Sequence, residues 1–324
     1  MKKLFRVLVL MTSILLVGCS NKSDEAKFTV IASNFPGYDF ARAVIKDVEG
    51  SEVKMLLSPG GEMHDFEPTP QDIINIKKSD VFIYVGGESD EWIDDVIDDI
   101  DLSKTKVIKL MDLVKVIEEE EVPGMEEEEE HHHHEGEEHD HHDGEEEEVE
   151  YDEHIWTSPI NAITIINSLK DEFVKLDSEN KDAYEKNAKA YTDELKVIDS
   201  EIRDVVSNGK RKLLVFGDRF PLRYFTEEYG LTYSAAFKGC SEQSEASAKT
   251  ISFLIDKVKE NNVPVVLHIE LSNKKIAQTI SEETGAKVLE FNSAHNISQK
   301  DFDSGLTYVN IMKKNIEVLK QALN

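Results

Sequence analysis

Two stretches of the chain alternate short β-branched runs with helical patterns, and a long amphipathic stripe separates them. The first stretch holds FTVIAS at 28–33, EVKMLL at 52–57 and DVFIYV at 80–85, with helical patterns at 38–48 and 70–78. The second holds LLVF at 213–216, LTYSAA at 231–236, PVVLHIE at 264–270 and KVLEF at 287–291, with helical stretches at 249–260, 272–284 and 304–322. Strands that alternate with helices form parallel sheets, because each parallel crossover needs about a dozen residues and a helix supplies them. The expected fold class is α/β: two lobes, each a mostly parallel sheet flanked by helices.

Between the lobes, Tyr184, Tyr191, Leu195, Ile198, Ile202 and Val205 recur at intervals of 7, 4, 3, 4 and 3 residues. That spacing is one apolar stripe of a helix whose other face is charged. Asp177 or Ser178 stands where a cap belongs, and Asn208-Gly209 is a stop signal. A helix of about 28 residues would measure about 42 Å, long enough to run down the back of both lobes. The expected organisation is an N-terminal lobe at 28–176, one long rigid linking helix at 177–208 and a C-terminal lobe at 209–324.

Charge is distributed unevenly. The formal net charge of −29 comes from 66 Asp+Glu against 37 Lys+Arg. Residues 118–153 hold 21 of those acids and no Lys or Arg, so the other 288 residues carry only −8. Nucleic-acid binding is excluded, because phosphate neutralisation needs clustered Lys and Arg. The acidic window also holds His131, His132, His133, His134, His139, His141 and His142. With no apolar periodicity and one sign of charge, it is expected to be an unfolded, solvated loop. A linker built for solubility alone has no use for a run of four histidines, so the loop reads as a collector of cations.

Residues 1–19 read as a secretion signal, with Lys2, Lys3 and Arg6 ahead of an apolar run from Val7 to Val17. The run ends in Leu16-Val17-Gly18-Cys19, which resembles a bacterial lipobox in which Cys19 is lipidated after cleavage. Residues 20–27 are polar, as a tether should be. Cys240 is then the one remaining thiol, so no intramolecular disulfide is expected.

Four histidines lie outside the acidic window. His64 sits in a Pro/Gly-rich loop after a predicted strand, and His154 precedes a helix just beyond the acidic loop. His295 follows the last predicted strand of the second lobe. In α/β folds, ligands bind at the carboxyl ends of strands. His268 lies inside VVLHIE and reads as a buried structural histidine, while Glu270 ends that strand as an oxygen ligand or its support. Imidazole nitrogen with carboxylate oxygen suits zinc, and less strongly manganese or iron(II). There is no HExxH helix, GxSxG elbow, GxxxxGK[ST] loop or GxGxxG fingerprint, so nothing demands an enzyme.

Several motifs occur in order: the lipobox, Gly60-Gly61-Glu62-Met63-His64-Asp65-Phe66-Glu67-Pro68-Thr69-Pro70, Gly87-Glu88-Ser89-Asp90-Glu91-Trp92, the acidic His-rich loop and His154-Ile155-Trp156-Thr157-Ser158-Pro159. Together they resemble the zinc/manganese solute-binding lipoproteins of metal ABC transporters. The resemblance implies a metal held in the cleft between the lobes and delivered to an ABC permease and its ATPase. It also implies a monomer tethered to the cell membrane on its extracytoplasmic face. His64 and His154 match the family's first two ligands. Its third histidine would fall at Phe216-Gly217-Asp218-Arg219 and its acidic ligand near Asn292-Ser293, and neither place has the expected residue. The expectation is that His295 replaces one lost ligand and that Glu270, Glu245 or Asp218 supplies oxygen. Zn2+ is preferred to Mn2+, the His-rich tract being nitrogen-dominated. A manganese or iron receptor, a surface zinc hydrolase and a surface adhesin are the alternatives. Cys240 would favour zinc further if it reached the cleft, and reads otherwise as a structural cysteine.

Overall fold

The computed structural model describes residues 27–64, 66–125, 150–241 and 245–324. Cys19 and the seven histidines of the acidic window lie outside the described residues. In the first lobe, β1 (Phe28–Ala32), β2 (Ser51–Met55), β3 (Val81–Tyr84) and β4 (Lys106–Lys109) form one sheet in the order β2-β1-β3-β4, all pairs parallel. Val30 pairs with Val53 on one side and Val81 on the other. The two central strands are covered on both faces and read as near-continuous apolar runs. The edge strands carry Glu52, Lys54, Lys106 and Lys109, charges that discourage pairing with another chain.

The connecting helices start where the sequence caps them. Asn34 accepts from Gly37 N ahead of Phe35–Val44, and Thr69 with Asp72 closes a capping box ahead of Pro70–Ile76. Ser158 accepts from Asn161 N ahead of Pro159–Leu176. In each case a proline occupies the first turn, where its missing N–H costs nothing.

The second lobe contains β5 (Leu213–Val215), β6 (Arg219–Phe220), β7 (Thr232–Ser234), β8 (Phe237–Lys238), β9 (Val265–His268) and β10 (Lys287–Glu290). β5 pairs with β7, β6 with β8 and β9 with β10, all parallel. A bridge between Phe216 and Leu267 joins the first and last of these pairs. Just past β5, Gly217 lies against the Lys275–Thr284 helix, where an added Cβ would come within 2.5 Å of the Ala277 backbone. No larger residue fits there.

The long helix runs Lys181–Asn208 and is 28 residues long. Tyr184, Ala188, Thr192, Leu195, Ile198, Ile202 and Val206 form its buried face. The expected cap at Asp177 or Ser178 is corrected: a separate turn, Ser178–Asn180, intervenes, and Asp177 instead accepts from Tyr184 OH and Asn180 Nδ2. One apolar cluster continues from Phe28 through Trp156, Ile198 and Phe291 to Leu323, so the lobes share a core.

The expected solvated loop over 118–153 is corrected at both ends. Glu118 and Tyr151 form an antiparallel bridge, Glu119 N donates to Glu150 O and Asp152 N donates to Ile117 O. Asp152 and Glu153, counted with the solvated acids, are 2% and 1% exposed. No helix among the described residues is long and apolar enough to cross a membrane.

Candidate metal centre

Three loops from the two lobes bring three histidines together. His64 follows β2 in a loop tied to the opposite lobe. Gly60 N donates to Ile297 O, and the Asn296 side-chain amide donates to Ser58 O and Gly61 O. His154 opens the short turn Ile155–Thr157 that leads into the Pro159–Leu176 helix, and it is fully buried. His295 follows β10, immediately after Ala294, whose φ of 59° is left-handed. Trp156 Nε1 donates to Ser293 O at 2.9 Å, fastening the His154 loop to the His295 loop.

The ring centroids of His64 and His154 are 6.4 Å apart, those of His64 and His295 5.5 Å, and those of His154 and His295 5.3 Å. In all three rings Nε2 is buried and has no hydrogen-bond partner. A buried nitrogen without a partner is costly, and three on neighbouring rings point to an electrophile held there.

The opposite nitrogens are held. Ser89 Oγ donates to Glu153, so its 2.8 Å contact with His64 Nδ1 must have the imidazole N–H as donor. That leaves the Nε2 lone pair of His64 free. His154 Nδ1 faces Asp152 Oδ1 at 3.2 Å, and the same oxygen accepts from the His154 backbone. Carboxylates behind metal-binding imidazoles fix the tautomer and raise ligand basicity.

The electrostatics divide the trio. Burial pushes His295 well below the usual imidazole value, and His154 and His64 push it the same way. His64 is lowered too, chiefly by burial, with Glu153 opposing. Burial also acts against a charged His154, yet Asp152, Glu153 and Glu119 lift it above the usual value.

Two donor sets share His64. Ligand atoms of His64, Glu153, His154 and Cys240 lie within 4.8 Å of one another, as do those of Glu62, His64 and His295. A cavity of about 370 Å³, lined by Glu62, His64, Asp218, Arg219, Glu270 and His295 among others, opens on one side. A second of about 310 Å³, lined by Glu88, Asp90, Glu119, Glu153 and Cys240 among others, opens on the other.

Of the carboxylates expected as oxygen ligands, Glu270 and Asp218 line the cavity with His64 and His295 but belong to neither donor set. Glu270 is buried and accepts from Ser293 N, Ser293 Oγ and His295 N, so it holds the His295 loop. Asp218 accepts from Arg219 N and Ile269 N. Glu245 is exposed and belongs to neither donor set. His268 is buried, with Nδ1 2.7 Å from Ile269 O. The sequence reading missed Glu62, Asp152, Glu153 and Ser89. Glu62 paired with Arg219 across the lobes could not be foreseen. Asp152 and Glu153 directly precede His154, a signal that the surrounding acidic run concealed.

Residues 30–322 match the family model described as ZnuA, zinc-uptake complex component A, periplasmic. The chain is 31% identical over 322 residues to the zinc-binding lipoprotein AdcA of Streptococcus pneumoniae, covering 99% of this chain and 61% of that protein. It thus spans about three fifths of that relative's length. It is 31% identical over 320 residues to the high-affinity zinc uptake system protein ZnuA of Bacillus subtilis, covering 96% of this chain and 94% of that one. The Zn(II)-bound ZnuA-like domain of Streptococcus pneumoniae AdcA superposes with a TM-score of 0.72 at 26% identity, covering 92% of this chain and 99% of that one.

Proposed function

Because the chain belongs to the ZnuA family of zinc-uptake components, we propose that it is an extracytoplasmic receptor that captures zinc between its lobes and hands it to an ABC permease driven by an ATPase. It acts by binding, not by catalysis, as a monomer held to the membrane through a lipid on Cys19. The observation that carries this reading is that the rings of His64, His154 and His295 lie with centroids 5.3 to 6.4 Å apart and that none of their buried Nε2 atoms has a partner. Imidazole nitrogens at a buried site suit zinc better than manganese, which favours oxygen. Glu270 supports this trio by fixing the His295 loop.

Zinc bound to the folded chain alone should stabilise it by about 4 kcal/mol at a free concentration a thousand times Kd. Differential scanning calorimetry of the full chain, stripped with a chelator and then reloaded with zinc or manganese, reads this directly. A zinc-induced rise in Tm larger than that with manganese is expected. No rise with zinc overturns the reading.

The histidines at 131–134, 139, 141 and 142 we assign to gathering metal, not to the tight site. Deleting residues 126–149 keeps Glu118 and Tyr151, which are bridged, and so keeps the stem beside His154. Isothermal titration with zinc should then show one tight site retained and several weak ones lost. Loss of the tight site would refute this division.

A further inference from the structure

We propose that Cys240 is a zinc ligand, giving the captured ion a sulfur donor beside His64 and His154. This rests on the reading of the chain as a zinc receptor and names the donor that sets its metal preference. Cys240 Sγ belongs to the same 4.8 Å group as ligand atoms of His64, His154 and Glu153. Zinc binds nitrogen at about 2.0–2.1 Å and sulfur at about 2.3 Å, so neighbouring donors in a tetrahedral shell lie about 3.5 Å apart. Closing a spread of at most 4.8 Å to that value needs side-chain movements of about 1 Å.

The carboxylates near this group are already engaged. Glu62 is paired with Arg219, and Glu153 accepts from both Ser89 N and Ser89 Oγ. Glu270 and Asp218 are held by backbone amides of the second lobe. Cys240 has no such commitment among the described residues. The Nε2 of His154, in a ring with no exposed surface, likewise has no partner.

The backbone before the thiol packs against the Cε1–Nδ1 edge of the same ring. At Gly239 an added Cβ would lie 3.2 Å from His154 Cε1 and 3.3 Å from its Nδ1, so a side chain there would press on the imidazole. Glycine lets the 239–240 segment lie against the ring.

Binding breaks the Cys240 S–H bond and forms a sulfur–zinc bond. The proton leaves to solvent, and zinc remains Zn(II) throughout. A thiolate in the shell favours zinc and softer ions over manganese. Cys240 therefore acts as a specificity determinant where the family's later ligands are missing.

Cobalt(II) is the probe. The full chain loaded with cobalt should show a near-ultraviolet thiolate-to-cobalt charge-transfer band, retained in Cys19→Ser and lost in Cys240→Ser and Cys240→Ala. Zinc affinity should fall by about 10–100-fold in both Cys240 variants, and the preference for zinc over manganese should narrow. Circular dichroism melts of the metal-free variants separate this from loss of fold. Bound cobalt without the band in the unsubstituted chain overturns the sulfur ligand and leaves the receptor reading standing. Failure of that chain to bind zinc tightly overturns both.

Discussion

Zinc affinity should fall by at least about 100-fold when His64 is replaced by alanine, more than a supporting residue typically costs. His64 is the one residue common to both donor sets, so its loss opens the site from either side. Its ring also ends a chain that runs through Ser89 to Glu153. Removing the imidazole leaves that serine and carboxylate bonded to each other, so the fold should suffer less than the site. His154→Ala and His295→Ala should follow the same pattern, since each deletes an unpartnered Nε2. His268→Asn is the contrasting variant. That histidine is buried but bonded within its own strand end, so its replacement should shift Tm and leave zinc affinity unchanged. Competition against a chromogenic chelator measures all four. Unchanged affinity in His64→Ala would dispose of the proposed site.

The fold was legible because its signals are local. β-Branched runs, Pro and Ser/Thr caps and the period of the long helix each act over a few residues, and each agrees with the α/β layering. Tyr184, Leu195, Ile198 and Ile202 of the stripe are buried as read, while Tyr191 and Val205 are only partly buried and Ala188, Thr192 and Val206 complete the buried face. The start of that helix was misread because Asp177 resembles a cap, yet its carboxylate is taken by Tyr184 and Asn180. A cap residue is recognised by composition, and composition does not say which donor reaches it first.

The site was legible only where one side chain sufficed. His64, His154 and His295 could be picked out because each sits at a strand end or helix start, and the fold brings those ends together. The roles of carboxylates depend on partners far away in sequence. Glu153 reaches Ser89 across 64 residues, Glu62 reaches Arg219 across 157, and Glu270 reaches His295 across 25. Nothing in a linear pattern distinguishes a carboxylate that will meet a metal from one that will hold a loop. Asp152 and Glu153 were harder still, because they close an acidic run whose bulk charge described their neighbours and not them.

Glu270 offers the test that separates those two roles. Its carboxylate is buried, and burial pushes its pKa above the usual value against the pull of Ser293 and His295. Glu270→Ala would orphan the Ser293 and His295 amides, at about 1–3 kcal/mol each. Glu270→Gln keeps one acceptor but turns an NH2 toward a donor, so it should lose part of that stability. For a chain of this size each kcal/mol corresponds to about 1.5 °C in Tm. Zinc affinity should fall by about 10–100-fold in Glu270→Gln, because the His295 loop loses its anchor while all three imidazoles remain. Metal-free and zinc-loaded calorimetry on the same samples provides both readouts. A loop-holding role requires the metal-free Tm to fall together with zinc affinity. Loss of zinc with an unchanged metal-free Tm would instead return Glu270 to the coordination shell, where its position at the end of β9 first suggested it.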